Sequence, residues 1–526
     1  MSEPFSPPRP PQSPQSPPDS AAHLLEKTSL TTAVVGLLLV AWIILVKNVQ
    51  SPYLTPGNLA ALMGLTAGLL LLLFQRYVEE GVLQSLLVFD SSTFLVFLLP
   101  PVILNAGLRI PENFFSNLGT ISCMGIGGTV ISFAFIASVL YVFTPFHVLQ
   151  LSDCLALGAI FSATDSVATL QVLSPNSMPL LFSLVFGEGV INDATSVVLL
   201  GAVSSVYPRA GSDAAAANGA QGGWSHGFGV LFSFVYLFTF SVVAGLAAGA
   251  AIVYLLRSMP GLTASQEMAL VGMISYLSYL LADVAGLSGI LSLFCCAICA
   301  SHWALPRMSE SGQTTTLVAF ETLSHIAEGV IFLYVGMDAL DPHKWSMTYP
   351  GEAIPMCVML VFLLLTSRAL AVVPMAMLHN LWGAVPLTPR DLVIIWWSGL
   401  MRGAVSVALV YFYFDASNDE HHATVITSTL LVVLFTTLAF GAATKPLLSL
   451  LLEERPDDPL TLLITERLLQ LRGALERMPP PPPWLQRCCP CLRLSPPSLP
   501  RVYQQLSQVP LHGVAVTIRF RACTSS

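Results

Sequence analysis

The chain has 526 residues, 54% of them hydrophobic and only 10% charged, with a net charge of −8. Soluble domains carry about 25% charged residues. This composition, with a mean hydropathy of +0.72, excludes a water-soluble globule and makes lipid the main solvent. The small negative charge offers no basic surface to a nucleic-acid partner, and ten cysteines, mostly in apolar runs, set up no disulfide framework.

Residues 1–28 form an N-terminal tail that begins rich in Pro and Ser, a composition that cannot bury a core and predicts disorder. The first apolar run, Leu30 to Val46, lies too far along for a cleaved signal peptide and reads as a retained span. Further spans are predicted near 58–74, 92–107, 119–145, 150–172, 180–204, 227–256, 267–282, 285–303, 316–338, 354–379, 389–414 and 423–449. The expectation is an all-α polytopic membrane domain over 29–452 with about 13 transmembrane helices, each able to cross about 30 Å of hydrocarbon. The Ala-, Gly- and Ser-rich insert 207–226 reads as a loop and divides the spans into two similar sets, a hint of an internal repeat. In the tail 453–526, six arginines between Arg467 and Arg501 predict a cytosolic end. A short amphipathic helix is expected at 458–475, before the proline run 479–483. Cys488, Cys489 and Cys491 read as ordinary free thiols, with lipidation the minority alternative.

A charge at the bilayer centre costs about 2.5–3.5 kcal/mol on insertion scales unless it is paired or wet, so each one needs a reason. Asp165 sits in IFSATDSVAT, where Ser162, Thr164, Asp165 and Ser166 all compete with helical backbone bonds. That cluster predicts a locally unwound helix lining a cavity, the setting in which transporters bind ions. Asp193 follows in FGEGVINDATS. Glu188 and Asp193 are five residues apart, about 140° around a helix, so they cannot share a face. Asp193 is the better ion ligand, with Asp165 and Thr164 beside it. A carboxylate takes either an alkali cation or a proton. Competition of the two for one group, combined with alternating access, is antiport. Arg368 is permanently charged and finds its natural partner in Glu188. Arg402, between Gly399 and Gly403, marks a second broken helix, where a fixed cation offsets the carbonyl ends of half-helices. Glu321, His325 and Glu328 fall on one helical face, with packing the preferred role for His325.

These segments resemble the eukaryotic sodium/proton exchangers of the monovalent cation/proton antiporter superfamily, and most closely the plant-type vacuolar Na⁺(K⁺)/H⁺ exchangers. The blocks that carry the resemblance are FLLPPVILNAG (97–107), GAIFSATDSVATLQVL (158–173), LVFGEGVINDATSVVL (184–199), LSGILSLF (287–294), AEGVIFLYVGM (327–337) and GLMRGAVSVA (399–408). The resemblance implies two inverted repeats with crossing discontinuous helices, a core domain plus a dimerisation domain, and a homodimer. By the family's pattern Asp193 is the transport carboxylate, with Asp165, Thr164 and Asn192 at the site. Glu188 and Arg368 are a structural ion pair, and Arg402 stabilises the helix crossing. Glu328 and the segment Phe97, Leu98, Leu99, Pro100 and Pro101 are candidates for pH sensing or inhibitor contact. Asn192, in place of a second acid, implies electroneutral exchange.

The expected function is exchange of Na⁺ or K⁺ for H⁺ across a vacuolar or endosomal membrane, with no cofactor. The cytosolic tail is a candidate docking segment for a regulatory protein. The competing readings are an uncoupled proton or cation channel and a non-transporting sensor on the same fold.

Overall fold

A computed structural model describes residues 18–49, 54–73, 94–111, 113–143, 149–173, 175, 178–207, 223–259, 261–341, 344, 345, 350–382, 387–414 and 420–452. Residues 1–17, the tail 453–526 with Cys488, Cys489 and Cys491, and most of the 207–226 insert lie outside this set; residues 18–28, expected as part of a disordered tail, instead continue the first apolar run as one helix. The described residues form helices and contain no strand. In chain order these are α1 (Pro18–Asn48), α2 (Pro56–Leu73), α3 (Phe94–Leu108), α4 (Phe115–Phe143), α5 (Leu151–Ile160 and Val167–Leu170), α6 (Pro179–Val206) and α7 (Gly223–Ser258). There follow α8 (Ala264–Val284), α9 (Gly289–Arg307), α10 (Glu310–Asp338), α11 (Pro350–Trp382), α12 (Pro389–Ser398 and Ala404–Tyr413) and α13 (420–452). Among the described residues nine helices are long and apolar enough to cross a membrane, and shorter apolar helices cover 32–48, 94–108 and 151–160. The interrupted α12 completes the set of segments expected from the apolar runs.

Helices in lipid gain no hydrophobic energy from one another, so they associate through close packing. Small residues supply it here. Gly64 of α2 lies against the Leu333 backbone of α10, and Gly336 of α10 lies against the Ala61 backbone of α2. Gly245 and Gly249 of α7 likewise seat Cys295 and Cys299 of α9. The outer face of α7 exposes large apolar and aromatic side chains such as Phe228, Phe232 and Tyr254.

Two groups of helices result. In one, α10 packs on α2 and α3, and α7 and α8 pack on α9. In the other, α11 packs on α4 and α13, and α5 packs on α4, α6 and the second half of α12. The interrupted helices α5 and α12 meet inside this second group. Four helices carry a π-helical turn, at Phe94–Leu98, Cys123–Gly127, Ala300–Ala304 and Thr436–Phe440. Such turns are rare and tend to fall at functional sites; the last of them contacts the crossing described next.

Candidate ion-exchange site

The interruption of α5 falls on the hydroxyl-rich string between Ile160 and Val167. Ser162 Oγ donates to the Ala159 carbonyl (2.7 Å) and meets Ser196 Oγ of α6 (2.9 Å). Asp165 Oδ1 accepts the Val167 amide at 3.0 Å, a local bond that replaces helical pairing. The Asp165 amide donates to the Met401 carbonyl, inside the interruption of α12, at 3.0 Å. The two broken helices are therefore joined backbone to backbone.

Arg402 lies at this junction with no solvent exposure. Its Nη1 donates to the carbonyls of Gly399 (2.9 Å) and Met401 (3.4 Å), and its Nη2 to that of Phe161 (2.7 Å). Phe161 and Gly399 end the first halves of α5 and α12. The guanidinium thus sits where two helix ends leave carbonyls unpaired and the dipoles are negative. Thr437, in the π-turn of α13, donates to the Arg402 carbonyl at 2.9 Å. Gly403 leaves room for the acid: a Cβ there would stand 2.8 Å from Asp165 Oδ2.

Asp165 and Asp193 both line two adjoining cavities, of about 260 Å³ and about 170 Å³. Thr164, Glu328, Val102 and Val405 line both as well. The Asp193 carboxylate on the continuous α6, with the Asp165 carboxylate and Thr164 hydroxyl on the unwound stretch of α5, makes a hard-oxygen donor set suited to an alkali cation.

Asn192 lies behind this wall and lines neither cavity. Its Nδ2 donates to Thr164 Oγ1 (2.8 Å), and its Oδ1 accepts from Thr129 Oγ1 of α4 (2.7 Å). The family pattern puts Asn192 among the ion ligands. The geometry instead gives it the orientation of Thr164. Thr129 was not singled out in the sequence, where it is one of several hydroxyl residues along the α4 span.

Glu188 points away from Asp193, and its Oε1 lies 2.6 Å from Arg368 Nη1. Arg368 Nη2 also donates to the Ile395 carbonyl at 3.1 Å, tying α6, α11 and α12 together. Gly399 packs directly on this guanidinium. Glu328 accepts from Ser324 Oγ at 3.0 Å. Seven residues earlier on α10, Glu321 pairs with Arg109 at 2.5 Å, and Arg109 lines the larger cavity. His325 lies against the buried Trp42, ring centroids 4.7 Å apart and tilted, and lines the smaller cavity. The segment 97–101 is divided: Leu99 lines both cavities, Leu98 lines neither, and Phe97, Pro100 and Pro101 line a separate small pocket.

Crossed broken helices, paired carboxylates and a buried arginine on the half-helix carbonyls are the arrangement of the cation–proton antiporter fold. The solved sodium proton antiporter MjNhaP1 of Methanocaldococcus jannaschii shares this fold, with a TM-score of 0.61 at 16% identity over 81% of this chain and 98% of its own. The sodium/hydrogen exchanger transmembrane family model matches residues 34–450, and the chain belongs to that family. It is 43% identical to sodium/hydrogen exchanger 1 of Oryza sativa over 68% of this chain and 66% of that protein. It is 41% identical to sodium/hydrogen exchanger 2 of Arabidopsis thaliana, over 70% and 67%, and 30% identical to human sodium/hydrogen exchanger 8, over 61% and 54%. The chain thus spans about two thirds of the length of these plant relatives.

Proposed function

We propose that this protein exchanges Na⁺ or K⁺ for H⁺, one for one, by alternating access, with cation and proton competing at Asp193. The observation that carries the reading is the placement of Asp193 and Asp165 together on one cavity wall, with the helix break between them and Arg402. Arg402 neutralises the half-helix carbonyls, which leaves the two acids for the cation. Asn192 and Thr129 hold Thr164 in place, and the Glu188–Arg368 pair holds α6 against α11 and α12. With Asn in place of a second acid beside Asp193, each cycle moves one charge in each direction and the exchange is electroneutral. The kinship with plant exchangers supports a vacuolar or endosomal membrane and a homodimer.

The test is reconstitution of the purified protein in vesicles carrying a pH gradient. Addition of Na⁺ or K⁺ to wild-type vesicles is expected to dissipate the gradient, and an imposed voltage is expected to leave the rate unchanged. Proton flux that ignores both cations would favour the leak-channel alternative. A strongly voltage-dependent rate would contradict one-for-one exchange.

A further inference from the structure

A second buried polar group lies on α10, away from the transport carboxylates. Asp338 closes α10 with 1% exposure, and Lys344, just beyond it, is 8% exposed. Lys344 Nζ donates to Asp338 Oδ1 and, at 2.6 Å, to the Tyr411 hydroxyl on the second half of α12. The Tyr411 hydroxyl in turn donates to Asp338 Oδ2, which closes a three-membered ring of hydrogen bonds. The ammonium also stands 4.8 Å from the Tyr411 ring centroid and 3.8 Å from Asp341 Oδ2. Each donor and acceptor in the ring has a charge-assisted partner, the strong class of hydrogen bond.

The position of the ring gives it meaning. The two cavities are lined on α10 only as far as Phe332, and on the second half of α12 only as far as Ser406. Asp338 lies ten residues beyond Glu328, about 15 Å along the helix, and Tyr411 six beyond Val405, about 9 Å. Arg109, which lines the larger cavity, pairs with Glu321 toward the opposite end of α10, and both side chains are exposed. The cavity lining thus reaches an exposed ion pair toward the Glu321 end and stops short of Asp338 and Tyr411 at the other, which we read as the shut end. The ring bridges the two groups of helices at that end. One of its members belongs to the half-helix whose first residues, Gly403 and Val405, form the wall beside Asp165.

We propose that Asp338, Lys344 and Tyr411 are positioning residues that latch the second half of α12 to α10, and that this latch must open before the transport site can face the other side of the membrane. They touch no cation. They act through the half-helix, setting how the carrier divides its time between the two faces. A ligand-free carrier distributes by the free-energy difference between its conformations, so a contact made in only one of them sets that population.

The inference rests on the alternating-access reading of Asp193. Its test uses the full-length protein carrying Val102→Cys, a substitution in the wall of both cavities, reconstituted in sealed vesicles with the Glu321 end facing the reagent. Reaction with a charged, membrane-impermeant thiol reagent is followed at residue 102 by mass spectrometry. Tyr411→Phe keeps the ring and deletes the hydroxyl. It is expected to slow labelling at residue 102 at least three-fold, because the carrier spends less time open on this side. The buried Cys296 in the same sample reports unfolding, since general loosening exposes it. If Tyr411→Phe exposes Cys296, the paired variant Asp338→Asn with Lys344→Gln, which stays neutral, is judged by the same three-fold criterion. An unchanged or faster rate at residue 102 with Cys296 still protected overturns the latch. A variant Asp193→Asn that still exchanges overturns the transport-site reading itself. If Asp193→Asn is inactive while labelling is unmoved by Tyr411→Phe, the latch alone falls.

Discussion

Thr129 reaches the transport site only through two other side chains, yet its place in the chain from α4 through Asn192 to Thr164 is specific. Replacing its hydroxyl leaves the Asn192 amide oxygen with one good donor fewer in a buried setting. Thr129→Val is expected to cost about 1–3 kcal/mol of stability and to lower the exchange rate, because Thr164 loses its fixed orientation. Thermal unfolding and vesicle flux measured side by side would check this; a stable variant with full exchange would remove Thr129 from the site. The Glu188–Arg368 pair gives a sharper contrast. Arg368→Ala strands a buried carboxylate and is expected to destabilise the protein by about 3–5 kcal/mol. The double change Glu188→Gln with Arg368→Met, which removes both charges, is expected to cost much less. Equal losses would mean the charge itself was not what mattered at these positions.

At the scale of elements, the two broken helices carry the argument. The α5 interruption was legible in the sequence, because four hydroxyl or carboxylate side chains within five residues compete openly with helical backbone bonds. That of α12 was legible only from Gly399, Arg402 and Gly403. The direct bond from the Asp165 amide to the Met401 carbonyl joins segments far apart in the chain, and no periodicity carries such information. The same limit explains Asn192: the family pattern put it at the site, but only the packing of α4 shows where its amide goes. It also explains the Asp338–Lys344–Tyr411 ring, whose residues fall outside the motifs and meet only through the fold. The crossing makes its own prediction. Gly399→Ala would drive a methyl group into the Arg368 guanidinium, overpacking worth about 1–3 kcal/mol. Reduced thermal stability is the expected result, and an unchanged melting temperature would show that the guanidinium has room to move.

Among the described residues the molecule is a bundle in which small residues let helices approach, with one set of buried charges at the crossing and a second at the end of α10. The polytopic helical architecture followed from composition and apolar runs alone, since lipid permits few alternatives for exposed backbone. If cation and proton share Asp193, exchange kinetics carry a distinct signature. Lowering the pH on the cation side is expected to raise the half-saturating cation concentration, while saturating cation restores the maximal rate. A fall in maximal rate with no change in half-saturation would place the proton elsewhere.

The most direct test of competition at Asp193 is cation-driven proton flux in vesicles containing equal amounts of folded wild-type and Asp193→Asn protein. The reading predicts that Na⁺ or K⁺ collapses the pH gradient in wild-type vesicles. Asp193→Asn vesicles should respond no more than protein-free ones. Cation-dependent flux through Asp193→Asn at the wild-type rate would contradict it.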